Sequence, residues 1–501
     1  MHVKRRKKMK KFGKLLGFDA EAKQTSVKTE IIAGIVTFLA MAYILTVNPA
    51  IIAYGSGHGE LWSSLFIATA LGAIIGTLLM AFLAKMPLAQ ASGMGLNSLL
   101  AGLIGTTAVT SYGATFTVGQ AFMYVLISGI IFLLLSVVKI KGKTFRELIF
   151  DGMPISVRSA ISVGIGLFIA YIGFQGAKII TANPDTISDL LLFNKYGANF
   201  AAAAVCLIGL FLIAILDKLN VKGSVILGIL GATIVGIPLG VTDLAALKGT
   251  EGISWKFWEN FKNFFAGDNS VFGSFTGVFK DGFLPAGVNF ITIVMIIISM
   301  CMIDMFDTMG TIVGCCGGNR ILSDENDKPH NYGKIMMSDA IATCAGAMLG
   351  TSTVTTFVES GAGVSAGGRT GLTAFTVACL FFVAMFAMPV FAAIPGAATA
   401  SALIYVGVLM MKNNVKNVDF SDAIGATSAF LTIVIMVLGY SITDGIGIGM
   451  ISYVVMSAIT YLVELIKYAI TKKDKPEWKI SVVAIIITVL FCLYFFLPSK
   501  F

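Results

Sequence analysis

The sequence predicts an all-α polytopic membrane protein made of two inverted repeats of seven spans, with short extended segments at the third and tenth spans. Three observations support this prediction. Hydrophobic residues make up 56% of the 501 positions, charged residues only 13%, and the mean hydropathy is +0.88, whereas soluble domains average roughly 45–50% and 25%. The apolar residues are gathered in segments of spanning length. One such segment in each half is interrupted by glycines.

The apolar segments can be measured against the roughly 20 residues that a helix needs to cross the hydrocarbon. Seven precede a longer polar stretch, seven follow it, and one more lies near the C-terminus. The first seven lie near residues 30–53, 62–84, 88–104, 118–138, 155–174, 199–216 and 223–241. The others lie near 287–314, 335–349, 353–366, 371–393, 395–411, 423–441, 445–466 and 479–498.

The distribution of basic residues indicates how the spans are oriented. The N-terminal tail, 1–28, is rich in lysine and arginine, and so are loops expected on the same side, such as 139–146 and 467–479. The opposite loops 54–60 and 441–444 contain neither residue. Because basic residues collect on the cytoplasmic side, we expect a multi-pass protein of the plasma membrane with a cytoplasmic N-terminus. Seven spans per half then require that the two halves be inverted.

The third span of each half is broken by glycine and hydroxyl residues. The breaks are Ala91-Ser-Gly-Met-Gly-Leu-Asn-Ser98 and Val358-Glu-Ser-Gly-Ala-Gly-Val-Ser365. Irregular backbone in a bilayer must be buried in protein or line a cavity, and matched breaks in two repeats indicate a transport site. The alternative is that the glycines only allow close helix packing. We assign four residues of these breaks to substrate binding, namely Glu359, Asn97, Ser360 and Gly95.

A second polar group lies in the eighth span. Asp304 and Asp307 are three positions apart, so both are expected on one helical face, with Thr308 beside them. Acids at membrane depth are energetically costly and mark functional sites. We expect Asp304, Asp307 and Glu359 to serve proton coupling, and Asp304 and Thr308 to contact substrate. Either aspartate alone could instead cap a helix break or pair with Arg369.

Other polar residues are assigned local roles. Glu30 fits a helix N-terminus, and Asn48, which precedes a proline, is expected only to end the first span. Asp339, Asp422 and Asp444 lie near predicted helix ends, where capping is expected. The three histidines fall in the tail and in predicted loops, so a proton relay at membrane depth has to use carboxylates. The seven cysteines lack metal-ligand spacing.

Four segments, taken in order, carry a family resemblance. They are Thr29–Pro49, Gly93-Met-Gly-Leu-Asn97, Asp304-Met-Phe-Asp-Thr-Met-Gly-Thr311 and Glu359–Thr373. Together they resemble the AzgA-like adenine, guanine and hypoxanthine permeases. This group belongs to the nucleobase transporter superfamily, which also contains uracil and xanthine permeases.

The resemblance implies a domain organisation of the uracil-permease type. The first repeat would occupy 29–241 and the second 287–466, separated by an extracellular loop at 242–286. Spans 1–4 and 8–11 would form a core domain, and spans 5–7 and 12–14 a gate domain. Residues 467–501 would add a basic loop and an extra hydrophobic helix, which departs from the fourteen-span pattern.

The resemblance also implies roles for particular residues. The family's acid in the eighth span falls on Asp304, its acid in the tenth span on Glu359, and its amide in the third span on Asn97. It implies uptake coupled to protons, with the proton gradient as energy source and no cofactor. Gate domains of related transporters often form dimers, so a homodimer is an open expectation.

We therefore expect a secondary transporter, not an enzyme, that imports a purine nucleobase with protons across the lipid bilayer. A carboxylate and an amide can make paired, directional hydrogen bonds to the ring N–H groups and acceptors of a planar base. Nucleic acid is not an expected partner, because the net charge of +9 is concentrated in the tail and short loops. No metal is expected.

Three alternatives remain open on the sequence. A permease for xanthine, uracil or another small anion could share the broken spans, although an anion carrier should have basic residues at the breaks. An intramembrane aspartyl protease could use two acids, but it gives no reason for matched breaks. A channel or receptor is the third alternative.

Overall fold

The structure is a computed structural model, and it is almost entirely helical. Eight helices among the described residues are long and apolar enough to cross a membrane, and five shorter apolar helices accompany them. The described residues are 15–18, 23–105, 116–140, 143–144, 148, 152–183, 187–190, 200–248, 253–266, 269–285, 287–288, 290–316, 319–323, 329–418, 420–472, 477–478 and 480–496.

Each of the seven apolar segments predicted in the first half of the chain contains a helix; five of these helices are long enough to cross a membrane, and those in the third and seventh segments are shorter. Its first span is a helix pair that breaks at Ala42 and Tyr43, and its third is a strand followed by a short helix. The elements are α1 (Val27–Met41), α2 (Ile44–Ser56), α3 (Trp62–Leu79), β1 (Gln90–Ser92), α4 (Met94–Ile104), α5 (Val118–Val137), α6 (Ile155–Gly176), α7 (Phe200–Lys218) and α8 (Ser224–Gly236). Two small hairpins also occur, β2 (Lys139–Ile140) with β3 (Lys143–Thr144), and β4 (Ile180–Asn183) with β5 (Ile187–Leu190).

Three helices lie between the repeats, α9 (Ala245–Lys248), α10 (Phe257–Ala266) and α11 (Val271–Asp281). The second repeat then follows the same plan. Its elements are α12 (Phe290–Cys316), α13 (Tyr332–Leu349), β6 (Val354–Thr356), α14 (Ser360–Ser365), α15 (Gly371–Ala384), α16 (Met388–Ala392), α17 (Gly396–Asn414), α18 (Ala423–Leu438) and α19 (Ile442–Thr471), and the extra C-terminal helix is α20 (Val482–Phe496).

Local chemistry explains where several helices begin. The Ser26 hydroxyl accepts a hydrogen bond from the Thr29 amide and caps α1. Asp422 caps α18 by accepting from the Gly425 amide at 2.7 Å, which confirms its predicted role. Both caps satisfy backbone donors that the first helical turn leaves without partners.

The helices pack in two groups. In the first, α13 packs on α3 and α5, α15 packs on α1 and α3, and the short helices α4 and α14 pack on α2 and α1. In the second, α6 packs on α17 and α18, α7 packs on α8 and α17, and α18 packs on α19. A Cβ added at Gly407 would lie 2.4 Å from the Gly166 carbonyl, so α6 and α17 approach closely because glycine lacks a side chain there.

Two local expectations were wrong. Asn48 does not end the first span, because α2 continues through Asn48 and Pro49 to Ser56. Its buried side chain instead donates to Thr69 and Thr351. Asp339 does not cap a helix: it lies well inside α13, which begins earlier than the hydropathy indicated because the polar turn at its start is helical as well.

Candidate functional site

Two short strands, one from each repeat, cross where the third and tenth spans are broken. β1 and β6 pair antiparallel, with Ala91 opposite Thr355. The Gly93 and Phe357 amides extend the pairing at either end by donating to carbonyls of the other segment. The two interruptions therefore satisfy each other's backbone groups, which is how extended backbone becomes tolerable at membrane depth.

A half-helix follows each strand. α4 has 11 residues and α14 has 6, so each covers only about 16 and 9 Å along its axis. Gly93, at the start of α4, offers no side-chain cap, and a Cβ there would lie 3.0 Å from the Thr355 hydroxyl. The first-turn amides of α4, including those of Met94 and Gly95, are therefore donors without a helical partner.

A cavity opens where these half-helices begin. It encloses about 570 Å³ of empty space when the part open to solvent is included. Its walls come from the crossing segments, from α12, and from α6 and α17 of the second helix group. The lining residues are Gly93, Met94, Gly95, Ser162, Ile169, Asp307, Thr311, Thr355, Thr356, Phe357, Val358, Glu359, Val406 and Met410. Two of these are acids and none is basic.

Glu359 lies on the wall of this cavity at the N-cap position of α14. Its side chain is 7% exposed and does not cap its own helix. The Tyr43 hydroxyl donates to Glu359 Oε1 at 2.5 Å. Tyr43 is 1% exposed and occupies the break between α1 and α2. A residue at the break in the first span therefore donates a hydrogen bond to the carboxylate in the tenth span.

Asp307 lines the same cavity, with Thr311 one helical turn further along α12. It is close enough to Glu359 for the two carboxylates to interact electrostatically. Like charges in an apolar setting repel strongly because little water screens them. The cavity therefore contains two acids that would repel each other if both were ionised.

Asp304 and Thr308 do not line this cavity, although they lie on the same helix. The Thr343 hydroxyl of α13 donates to Asp304 Oδ2 at 3.2 Å. Thr308 donates to Asp339 Oδ2 at 2.9 Å. The expected single face of α12 is in fact two edges, because residues three apart are offset by about 60° around a helix. One edge faces the cavity, and the other is hydrogen-bonded to side chains of α13.

Asp339 is a fully buried acid that sequence reasoning placed at a helix end. The Gln90 amide of β1 donates to its Oδ1 at 2.9 Å, and Thr308 donates to its other oxygen. Asp339 thereby links the crossing strand, α12 and α13. Buried carboxylates persist where several donors satisfy them.

The remaining predicted residues support the crossing from outside the lined cavity. The Ser352 hydroxyl donates to Asn97 Oδ1, and both residues are fully buried. Ser360 Oγ accepts from the Ala89 amide at 3.0 Å and so holds α14 to the strand that precedes α4. Of the residues predicted to bind substrate, the structure brings Glu359 and Gly95 to the cavity wall, together with Asp307 from the proton-coupling set.

Sequence reasoning missed Tyr43, Gln90 and Asp339 as parts of the site. Tyr43 is a phenol inside a long apolar span, and Gln90 is an amide immediately before the first break. Asp339 is an acid within an apolar helix. Each is a polar group at membrane depth, which is the same feature that singled out Glu359 in the sequence. Their hydrogen-bond partners could not be inferred, because Tyr43 and Gln90 bond to residues more than 200 positions away.

Comparison with known proteins places the chain in a family. A family model described as a permease family matches residues 28–448, which is most of the chain. The guanine/hypoxanthine permease PbuO of Bacillus subtilis is 35% identical over 450 residues, covering 88% of this chain and 94% of that protein. The adenine permease AdeP of Escherichia coli is 35% identical over 435 residues, covering 86% and 87%.

Solved structures support the fold. The transmembrane domain of the cyanobacterial bicarbonate transporter BicA aligns with a TM-score of 0.55 at 16% identity, covering 84% of this chain and 96% of that one. SLC26A9 aligns with a TM-score of 0.54 at 11% identity, covering 93% and 70%. At these identities the likeness concerns the fold alone. With the matched breaks, the apolar spans and the relatives, the chain belongs to the permease family that includes adenine and guanine/hypoxanthine permeases, and it is an integral membrane protein.

Proposed function

We propose that the protein imports purine nucleobases, guanine and hypoxanthine or adenine, by proton symport across the plasma membrane, with its N-terminus in the cytoplasm. The observation that carries the proposal is the buried Glu359 carboxylate, which Tyr43 holds at the wall of a cavity facing the uncapped start of α4. The relatives named as guanine/hypoxanthine and adenine permeases support the choice of substrate class.

The cavity can contact a purine both along the edge of its ring, by hydrogen bonds, and on the faces of its ring, by apolar side chains. Glu359 accepts hydrogen bonds from ring or exocyclic N–H groups, and the first-turn amides of α4 at Met94 and Gly95 donate to ring nitrogens or a carbonyl oxygen. Phe357, Ile169 and Met410 supply apolar surface for the faces of the ring. Asn97, Ser360 and Thr308 keep these groups in place by holding the half-helices and α12.

Asp307 and Glu359 are the pair that we propose to carry the proton. Both face one cavity, so one proton between them relieves their repulsion and allows a neutral base to bind. Asp304, on the other edge of α12, is a further candidate to hold a proton. Release follows when the cavity opens to the other side.

Opening requires that the two helix groups move relative to each other. The cavity has one wall from the strand crossing and α12 and another from α6 and α17. We propose that the core domain, spans 1–4 and 8–11, moves largely as a rigid body against the gate domain, spans 5–7 and 12–14. A homodimer formed through the gate domains is part of the same proposal.

The test is uptake of radiolabelled hypoxanthine, guanine and adenine by cells that lack their own purine permeases. The wild type should concentrate at least one of the three, faster at lower external pH, and a protonophore should abolish accumulation. Accumulation that resists the protonophore would reject proton coupling but leave the substrate assignment intact.

A competition panel decides the substrate class separately. Unlabelled adenine, guanine or hypoxanthine in excess should block uptake, whereas uracil, xanthine and bicarbonate should not. Competition by uracil or xanthine alone would instead indicate a uracil or xanthine transporter. An inorganic anion is disfavoured because the lining has two acids and no basic side chain.

A further inference from the structure

The segment between the two repeats contains an amphipathic helix whose role transport does not explain. This connecting segment comprises residues 253–266 and 269–285 and includes α10 and α11. On α10, four phenylalanines and Trp258 follow one side of the helix, while Glu259 and Asn263 lie on the other and Lys256 immediately precedes the helix. Such a division of polar and apolar faces is typical of helices that lie in a membrane surface.

The inner part of the apolar side packs on the protein. Phe264 is 1% exposed. The Phe257 ring packs on Phe386, in the turn that follows α15, with a centroid distance of 4.3 Å. The Ser64 hydroxyl of α3 accepts from the Val271 amide at 3.0 Å, which fixes the start of α11. The connecting segment is therefore docked rather than loosely attached.

The outer part of the apolar side stays exposed although it touches neighbouring rings: Phe265 packs on Phe272 of α11 with a centroid distance of 5.1 Å, and Trp258 packs on Phe257. Trp258 is 78% exposed. Phe265, two helical turns further along the same side of α10, is also exposed. This exposed edge continues onto the outward surface of α15, where Phe382 and Val383 are exposed beside Phe386. Since α15, the turn after it and α16 together form an apolar segment, Gly371–Ala392, that is long enough to span a membrane, we expect that outward surface to face lipid, and the edge of α10 is continuous with it.

The polar side of α10 suits contact with headgroups and water. Lys262 lies about 40° around the helix from Trp258 and is exposed, and the structure gives it no ion pair within the described residues. Lys256 and Glu259, further round, pair with each other at 2.9 Å. Tryptophan beside lysine is the combination that collects at the boundary between acyl chains and phosphates.

We propose that the connecting segment lies in the interfacial layer of the bilayer, with the Trp258 indole among the upper acyl chains and the Lys262 ammonium facing lipid phosphates. Its partner is phospholipid. The segment docks on α3, α5 and α13 of the first helix group, and the Tyr124 hydroxyl of α5 donates to the Phe283 carbonyl at its end. The connecting segment thus attaches the first helix group, which contains Glu359, to the membrane surface.

Tryptophan fluorescence in proteoliposomes tests this, because the chain has only four tryptophans. Trp62→Phe, Trp255→Phe and Trp478→Phe leave Trp258 as the sole indole of the full-length protein. Phosphatidylcholine brominated near the headgroup end of its chains should quench Trp258 at least twofold more than lipid brominated near the methyl end. Aqueous iodide should quench it several-fold less than free tryptophan.

A matched control uses the opposite side of the same helix. Adding Trp258→Phe and Asn263→Trp to that background moves the sole indole to the polar side, where iodide should quench strongly and brominated lipid weakly. If the background does not fold, the difference in quenching between wild type and Trp258→Phe gives the same measurement. Iodide quenching of Trp258 equal to that of free tryptophan, or stronger quenching by deep bromines, would overturn the proposal.

Discussion

Four acids near the strand crossing, all in or beside apolar helices, divide into two groups that look alike in the sequence. Asp304 and Asp339 lie behind the strand crossing: Gln90 and Thr308 donate to the two oxygens of Asp339, and Thr343 donates to one oxygen of Asp304. Glu359 and Asp307 line the cavity instead. Glu359 has one side-chain donor, from the tyrosine at the break in the first span.

The difference shows that burial of a carboxylate in an apolar span does not by itself identify a ligand-binding group. A carboxylate satisfied by fixed protein donors holds elements together, whereas one that faces open space can bind a ligand or a proton. Four substitutions can break or sharpen this distinction.

The largest effect is expected from Glu359→Gln. The amide keeps the shape but replaces a charged acceptor, and hydrogen bonds to charged groups contribute about 1.5–3 kcal/mol, or roughly 10- to 100-fold in affinity. We expect purine uptake to fall by about that factor through KM, with normal membrane insertion. Glu259→Gln, at an exposed acid, is the matched control. Full activity of Glu359→Gln would remove Glu359 from the binding site.

Asp307→Asn is expected to uncouple transport rather than prevent binding. If Asp307 shares the proton with Glu359, its amide should support exchange of labelled for unlabelled purine but no accumulation against a gradient, with net uptake reduced about tenfold. Asp304→Asn, three positions earlier on the other edge of α12, should retain substrate KM. Equal behaviour of the two variants would abolish the distinction between the edges.

Asp339→Asn should reduce stability more than recognition. The amide loses one acceptor oxygen and leaves Gln90 or Thr308 without a partner, which costs about 1–3 kcal/mol when the group is buried. Thermal unfolding in detergent should shift to lower temperature while purine KM changes by less than about threefold. Asp422→Asn is the control, since asparagine caps a helix as well as aspartate does. A selective change in KM without loss of stability would contradict this role.

The smallest effect is expected from Tyr43→Phe. It removes one hydrogen bond to Glu359, worth about 1 kcal/mol, or roughly fivefold in affinity. Because Glu359 would lose its side-chain donor, we expect the pH dependence of uptake to shift along with KM. Tyr54→Phe, at an exposed tyrosine of α2, should change neither. An unchanged pH profile in Tyr43→Phe would indicate that the tyrosine only fills space.

The fold was largely predictable from the sequence. Every predicted apolar segment contains a helix or a strand followed by a short helix, and both predicted interrupted spans contain a strand, β1 or β6, although β6 ends just before the glycine-rich segment at Val358–Ser365. The reason is that lipid permits few backbone solutions, so hydropathy and glycine content are strong constraints. The prediction for Asn48 was wrong because the proline after it lies inside a helix. A membrane helix tolerates a proline when neighbouring groups bond the backbone carbonyls that the proline leaves without partners.

The site was predictable only in part. Glu359 and Gly95 were assigned to it and line the cavity, but the pair Asp304 and Asp307 was expected on one face. Helical spacing gives the direction in which a side chain points around the helix axis. It does not say whether a neighbouring helix or a cavity lies in that direction. The hydrogen bonds between α12 and α13, from Thr308 to Asp339 and from Thr343 to Asp304, mark that boundary.

The sequence by itself determined that this chain is a broken-span membrane protein and which segments break, because those properties follow from local composition and the demands of lipid. The tertiary structure alone decided which buried acids face the cavity and that Tyr43 holds Glu359 across 316 positions of sequence. Contacts between distant helices depend on how the two repeats interlock at β1 and β6, and no local pattern encodes that pairing.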